Sequence, residues 1–279
     1  MPKKAFLEIT NACNLSCGFC HGTKRPTRFI SEEEFTLAAQ KLAGCTEYLY
    51  FHVMGEPLLH PLIGDFLDIA GKLGHKIILT TNGTLLPRKA ETLLEASALY
   101  KVSISCHCYE VNTLGISLEE YLSDVFDFCR RAAERGIIAV MRLWNLGGAS
   151  ELNERILSLM HDAFAGDWRE LYSGYKIADK IFLEWGEKFD WPDENADYID
   201  GAHSCYGLRD QIGILSDGTV VPCCLDADGV IRLGNIFDDE LDEILSSSRA
   251  VSLKRSFETG KVTEKLCCRC GYASARMKR

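Results

Sequence analysis

The sequence predicts an α/β fold, a partial (β/α)6 barrel of the TIM type followed by a small, cysteine-rich C-terminal domain. Between residues 5 and 185, short apolar runs alternate with amphipathic stretches. Repeated βα units of this kind build a parallel sheet covered by helices. From about residue 200 the pattern changes to short strands and one helical stretch. Six predicted strands are fewer than the eight of a closed barrel, so we expect an open barrel.

The barrel strands are predicted from apolar runs that end at glycine or polar residues. They are Phe6–Ile9, Tyr48–Val53, Lys76–Thr80, Tyr100–Ser105, Ile137–Leu143 and Ile181–Trp185. The helices between them begin at capping serines, at prolines or at an acidic residue. They run from Ser31 to near Gly44, from Pro61 to Leu73, from Pro87 to about Ala96, from Ser117 to Arg135 and from about Glu151 to Ala165.

The C-terminal part is predicted to begin with a β-hairpin. Residues Ile212–Ser216 and Thr219–Val221 flank the turn Asp217-Gly218, which is typical of a tight hairpin. A helix is expected from Asp239 to about Leu253. The irregular stretch 186–203 separates the parts, so we predict a barrel domain over 1–190 and a second domain over 200–279.

Composition excludes several classes of protein. The 279 residues are 47% hydrophobic and carry a net charge of −9, so no nucleic-acid partner is expected. No apolar run reaches the length of a membrane span, and the first predicted strand leaves no room for a signal peptide. We therefore expect a cytoplasmic protein. Thirteen cysteines in such a protein indicate metal or cluster ligands, because the cytosol keeps thiols reduced.

The first cysteine group follows the first predicted strand. Cys13, Cys17 and Cys20 have the spacing C-x3-C-x2-C. Thiolates are soft ligands for iron–sulfur clusters and zinc. Three thiolates on a cubane cluster leave one of its four irons free to bind a small molecule. A zinc site or unrelated thiols is the alternative.

The stretch Thr10-Asn-Ala-Cys13-Asn-Leu-Ser-Cys17-Gly-Phe19-Cys20 resembles the radical SAM superfamily. In that family the free iron of a 4Fe-4S cluster binds S-adenosylmethionine (SAM). Reductive cleavage then gives a 5′-deoxyadenosyl radical, which abstracts hydrogen from a substrate. The resemblance implies that Phe19 packs near the adenine.

The same resemblance implies further SAM contacts at the ends of other strands. Met54-Gly55-Glu56-Pro57 is similar to the Gly-Gly-Glu motif of the family, with Met54 as a departure, and Asn82 belongs to a Thr-Asn-Gly turn. Ser105 is implied near the ribose or carboxylate, and Arg142 near the methionine carboxylate. An ordinary turn at Asn82 and a structural ion pair at Arg142 are the alternatives.

Two cysteines after the fourth strand are candidate catalytic residues. Cys106 and Cys108 flank His107 and are expected near the cavity. A thiol there is able to donate a hydrogen atom to a substrate radical. Buried structural cysteines are the alternative.

The second cysteine group resembles the SPASM and twitch extensions of radical SAM proteins. Its elements are C-x12-G-x4-C over 205–223 and C-x2-C over 267–270. The resemblance implies one auxiliary 4Fe-4S cluster in a small cluster-binding domain, held by Cys205, Cys223, Cys267 and Cys270. Cys224 and Cys268 are alternative ligands, and zinc is an alternative metal.

These features predict a radical SAM enzyme. The expected substrate is a peptide or protein that the enzyme modifies, as a maturase does. A small metabolite such as a sugar, nucleoside or alcohol is the alternative substrate. A non-catalytic iron–sulfur or zinc scaffold is the alternative from another class. An electron donor such as flavodoxin or ferredoxin is expected as a partner, and no membrane.

Overall fold

The computed structural model describes residues 2–199 and 205–273. Its strands are β1 (Lys4–Leu7), β2 (Tyr48–Phe51), β3 (Lys76–Thr81), β4 (Leu99–Ser105), β5 (Ile138–Leu146), β6 (Arg169–Leu171), β7 (Gly174–Ala178), β8 (Ile181–Glu187), β9 (Gln211–Ile214), β10 (Thr219–Val221) and β11 (Gly234–Asn235). Its α-helices are α1 (Glu32–Leu42), α2 (Ile63–Lys72), α3 (Leu86–Glu95), α4 (Leu118–Glu134), α5 (Asn153–Ala163), α6 (Leu241–Ser246) and α7 (Ser248–Thr259).

Six parallel strands form the centre of one sheet. Their order is β1-β2-β3-β4-β5-β8, and each pair is parallel. Helices cover the outer face, where Phe35 of α1 stacks on Phe66 of α2 at 4.2 Å and meets Phe51 of β2 edge-on at 5.7 Å. The predicted α/β fold with six parallel strands in a partial barrel is confirmed.

The C-terminal segment continues the sheet of the barrel. Strand β9 pairs in parallel with β1, with Ala5 opposite Ile212, and β10 and β11 follow in antiparallel pairing. The predicted hairpin around Asp217-Gly218 is therefore present, and its first strand also borders the barrel. The division into 1–190 and 200–279 stays a prediction, since both segments contribute to one sheet.

Two elements differ from the sequence prediction. The helix expected over 239–253 is two helices, because Ser247 has extended backbone and its side chain caps α7 through Ala250 N. The hairpin β6–β7 was not predicted, and it pairs with the free edge of β8. At its turn, a Cβ on Gly174 would lie 2.0 Å from the carbonyl oxygen of Leu183, so only glycine is tolerated there.

No helix within residues 2–199 and 205–273 is long and apolar enough to cross a membrane.

Candidate active site

The three cysteines of the first group lie on the loop between β1 and α1. The Cys20 amide donates to the carbonyl oxygen of Cys17 at 2.9 Å, which closes a turn around the last two thiols. The Asn112 side chain donates to Cys17 Sγ at 3.1 Å, and Asn82 Nδ2 lies 4.0 Å from Cys13 Sγ. Burial raises the pKa of the Cys13 and Cys17 thiols, and these amide donors oppose that shift. Such N–H donors stabilise sulfur that carries negative charge, as thiolate ligands do.

Gly55 holds this loop against the end of β2. Its φ is +80°, and a Cβ there would lie 2.4 Å from the carbonyl oxygen of Thr10 and 2.8 Å from that of Ala12. The neighbouring Glu56 amide donates to the Ala12 oxygen at 2.7 Å. The backbone of the predicted Gly55-Glu56 motif therefore contacts the cysteine loop directly, and a side chain at 55 would push the loop away.

The Glu56 carboxylate joins the ends of β2 and β3. It is 1% exposed and accepts from Leu58 N at 3.0 Å, Thr81 Oγ1 at 2.8 Å and Asn82 N at 2.7 Å. Burial raises the pKa of Glu56 to about 7, against the effect of these donors. The Asn82 side chain donates in turn to Asn14 Oδ1 at 2.9 Å, inside the cysteine loop. Glu56 thus positions Asn82, and the roles of both toward SAM stay predictions.

Ser105, the last residue of β4, lies opposite Arg142, which is in the middle of β5. Arg142 Nε donates to Glu184 Oε2 at 3.1 Å, and its guanidinium stacks on Trp144 at 4.5 Å. The structural ion pair considered for Arg142 is therefore present. Contacts of Ser105 and Arg142 with SAM stay predictions.

Phe19 lies where the cysteine loop meets the turn after β4. Its ring centroid is 4.8 Å from that of His107, whose Nδ1 is 3.1 Å from the carbonyl oxygen of Arg142. Trp191 Nε1 donates to the Phe19 carbonyl at 3.2 Å. Phe19 is thus held between the barrel and the segment after β8, and its packing on adenine stays a prediction.

The predicted catalytic thiols do not lie where the sequence analysis expected them. Residues 106–108 form a 3-10 turn, which ends the in–out alternation of β4. Cys106 is 0% exposed in the core with Cys129 of α4, and Cys108 is 1% exposed and donates to the carbonyl oxygen of Asn82 at 3.3 Å. Burial raises the pKa of both thiols. This enclosure argues against direct contact between a substrate and Cys106 or Cys108, and we revise that assignment.

The C-terminal cysteines separate into two sets. One common pocket beside Phe257 is lined by the four predicted ligands Cys205, Cys223, Cys267 and Cys270. Cys224 packs beside Val53 and Met54, and burial together with the nearby Cys205 and Cys270 raises the pKa of its thiol, so it stays an alternative ligand. Cys268 donates to the carbonyl oxygen of Val262 at 3.4 Å. Among the residues that the structure describes, no three His, Cys, Asp or Glu side chains are grouped around one metal-ion position. A cubane needs a wider arrangement, since each thiolate binds a different iron.

A buried ion pair that the sequence analysis missed joins the cysteine loop to the C-terminal segment. Arg25 Nη2 lies 2.7 Å from both carboxylate oxygens of Glu8, and Arg25 Nε donates to the Ala227 carbonyl at 2.8 Å. Ser216 N donates to the same carboxylate at 3.1 Å. The available signal was Glu8 itself, a lone acidic residue in the apolar run Phe6–Ile9.

Comparison with known proteins identifies the family. Residues 7–160 match the model of the radical SAM superfamily, which is more than half of the chain. The chain belongs to the radical SAM superfamily. Residues 205–271 match SPASM, an iron–sulfur cluster-binding domain. This radical SAM protein therefore binds SAM and a 4Fe-4S cluster, and its C-terminal region binds auxiliary iron–sulfur.

Curated relatives cover most of this radical SAM chain. It is 26% identical to the antilisterial bacteriocin subtilosin biosynthesis protein AlbA of Bacillus subtilis, over 88% of the chain and 60% of AlbA. The sporulation killing factor maturation protein SkfB of the same organism is 24% identical, over 91% of the chain and 67% of SkfB. The chain thus spans about three fifths of AlbA. A probable GTP 3′,8-cyclase of Methanocella arvoryzae is 25% identical, over 92% of the chain and 93% of that protein.

Solved structures share the fold. The structure of anSMEcpe with bound AdoMet aligns with 100% of this chain and 92% of its own, at TM-score 0.66 and 15% identity. BtrN in complex with AdoMet and 2-DOIA aligns with 97% of this chain and 93% of its own, at TM-score 0.60 and 18% identity. These likenesses concern the fold.

Proposed function

We propose that this protein is a peptide-modifying radical SAM enzyme of the maturase type. The observation that carries the proposal is the similarity to AlbA and SkfB over 88% and 91% of the chain. Their names describe biosynthesis of a bacteriocin and maturation of a killing factor. The barrel offers space for a substrate, because a cavity of about 610 Å³ lies on its inner face.

We assign the cluster ligands and the SAM contacts from the positions of these residues in the barrel. Cys13, Cys17 and Cys20 hold the first 4Fe-4S cluster, and Gly55 keeps their loop in place. The remaining proposed contacts with SAM are Phe19, Glu56, Asn82, Ser105 and Arg142. When bound, the cluster and SAM supply the 5′-deoxyadenosyl radical that takes a hydrogen atom from the substrate.

The auxiliary cluster is proposed to be held by Cys205, Cys223, Cys267 and Cys270, which line one pocket. Four protein thiolates leave no iron free for a substrate, so this site is suited to electron transfer. An electron donor such as flavodoxin or ferredoxin is the proposed partner. We infer a cytoplasmic location, because cysteines that ligate iron–sulfur clusters must stay reduced and the cytosol keeps thiols reduced.

The proposal predicts a gene for a small precursor peptide beside the gene of this protein, and it is tested by co-expressing the two. We expect a change of mass in the peptide, located by tandem mass spectrometry. The variant with Cys13, Cys17 and Cys20 changed to Ala is the matched control, and it should leave the peptide unmodified. A peptide that keeps its mass in ordinary water and gains no deuterium in deuterated water, together with active SAM cleavage, would contradict the maturase assignment.

A small-metabolite enzyme is the second candidate function, because the probable GTP 3′,8-cyclase matches over 93% of its own length. Anaerobic assays with GTP and with the precursor peptide separate the two functions. Formation of 5′-deoxyadenosine that GTP stimulates and the peptide does not would favour the small-metabolite reading.

A further inference from the structure

The cavity on the inner face of the barrel has an unusual charge. Its walls come from β2, β3, β4, β5 and β8, and Ser173 of the β6–β7 turn borders it. Lys3 and Lys4 are exposed at its edge, and Lys101 of β4 lies half-buried inside. In a chain with a net charge of −9, an inward-facing group of lysines requires an explanation.

The lysines of this cavity form no ion pair in the described part of the chain. Lys101 makes no ion pair or side-chain hydrogen bond there, and neither does Lys4, whose Nζ lies 5.9 Å from the Tyr50 ring centroid. Glu184 is the carboxylate among the lining residues, and Arg142 already binds it at 3.1 Å. Burial lowers the pKa of Lys101 and the nearby Arg142 charge lowers it further, while the Glu184 carboxylate partly opposes both effects. A partly buried ammonium with these neighbours is stabilised by an incoming anion.

We propose that Lys101 binds a carboxylate of the substrate inside this cavity. The inference rests on the proposed peptide-modifying function and names the chemistry that the site recognises. One carboxylate balances the charge of Lys101, and Lys4 at the edge attracts it during entry. The apolar wall formed by Ile78, Val140 and Phe182 also favours an amino-acid side chain over a phosphate chain.

The carboxylate has two possible sources, an acidic side chain or the free end of a peptide. The probes are therefore N-acetyl-glutamic acid amide for the side chain and N-acetyl-alanine for the chain end. N-acetyl-glutamine amide is the uncharged match, and inorganic phosphate is the competing anion. Binding is measured by ligand-observed NMR on the reconstituted, SAM-bound protein under anaerobic conditions.

We expect Lys101→Met to weaken the better carboxylate probe about tenfold, which corresponds to about 1.4 kcal/mol. Binding of the glutamine probe should not change. Lys76→Met is the matched control, because Lys76 on the neighbouring strand is already paired with Glu47. Lys101→Arg should retain binding of the carboxylate probe. Iron content and SAM binding report the integrity of each variant.

The proposal would be overturned if neither carboxylate probe, N-acetyl-glutamic acid amide or N-acetyl-alanine, bound more tightly than the uncharged glutamine probe. Unchanged carboxylate binding by Lys101→Met, or tighter binding of phosphate than of either carboxylate, would overturn it too. These measurements require no turnover. A failure of the maturase assignment in the co-expression experiment is therefore distinguishable from a failure of carboxylate binding.

Discussion

Glu56 illustrates how a single buried residue organises the active site. Its carboxylate accepts three hydrogen bonds from two strand ends, from Leu58, Thr81 and Asn82. The resemblance to the radical SAM superfamily marked this position as part of a motif similar to Gly-Gly-Glu. The structure adds that the side chain determines where Asn82 lies, and Asn82 in turn contacts the cysteine loop through Asn14.

The titration of Glu56 should be visible in the stability of the protein. Burial raises its pKa to about 7, so the folded protein holds this proton more tightly than the unfolded chain does. The free energy of unfolding attributable to Glu56 therefore decreases as pH rises from about 4.5 to about 7, by up to about 3 kcal/mol. In anaerobic urea denaturation, the free energy of unfolding of wild type minus that of Glu56→Gln should decrease over this range. Glu154→Gln on the surface of α5 is the control, and a difference that increases with pH would contradict the prediction.

The loop between β1 and α1 is the element that connects the two cysteine groups. Its Arg25 is bound to Glu8, directly after β1, and to the Ala227 carbonyl of the C-terminal segment. Thr23 Oγ1 donates to Asp228 Oδ1 at 2.8 Å, which adds a second link. The loop that carries Cys13, Cys17 and Cys20 is thus fixed at its far end by residues about 200 positions later.

Removing Arg25 should destabilise the protein strongly, because Glu8 has no exposed surface on its side chain. We expect Arg25→Met to lose about 3–5 kcal/mol of unfolding free energy, since a buried carboxylate is left without its partner. The double variant Glu8→Gln/Arg25→Met should lose less than the single variant, because no charge remains buried. Arg131→Met, which breaks the exposed pair with Glu91, should cost less than about 1 kcal/mol. A double variant that is less stable than Arg25→Met would refute this account.

At the scale of the whole molecule, two cysteine sets occupy different parts of one sheet. The first follows β1, and the second lies around the hairpin β9–β10 and the C-terminal turn. Since β9 pairs directly with β1, the auxiliary site and the SAM site share a rigid connection. Because each cluster has its own cysteine ligands on this shared sheet, substitutions in one set should remove one cluster and leave the other.

Iron analysis of reconstituted protein should give about eight irons for two cubane clusters. Changing Cys13, Cys17 and Cys20 together to Ala should remove about half of the iron and all SAM cleavage. Cys270→Ala should lose auxiliary iron and retain uncoupled SAM cleavage. Cys45→Ala, at a partly buried thiol after α1, should retain both. Full cleavage by the triple variant, or stoichiometric zinc at the C-terminal site of active protein, would disprove this arrangement.

The sequence alone determined those features that neighbouring residues encode. The capping boxes at Ser31 and Ser117, the apolar runs of the barrel strands and the spacing of Cys13, Cys17 and Cys20 are local patterns. The family resemblance added the predicted roles of the motif at Gly55 and the turn at Asn82. The continuous helix expected after residue 239 was wrong, because one serine both ends α6 and caps α7.

The tertiary structure alone decided which distant groups meet and which face a side chain occupies. The contact of Glu8 with Ser216 spans 208 positions, and no local pattern predicts such a distance. Cys106 lies in the core because residues 106–108 form a 3-10 turn after β4, whereas its position directly after that strand was the basis for expecting it near the cavity. Lys101 could be proposed as a binding residue only because the structure shows that Glu184, the carboxylate in its cavity, is already bound to Arg142. Burial and charge balance depend on the whole assembled chain, so they are read from the folded protein.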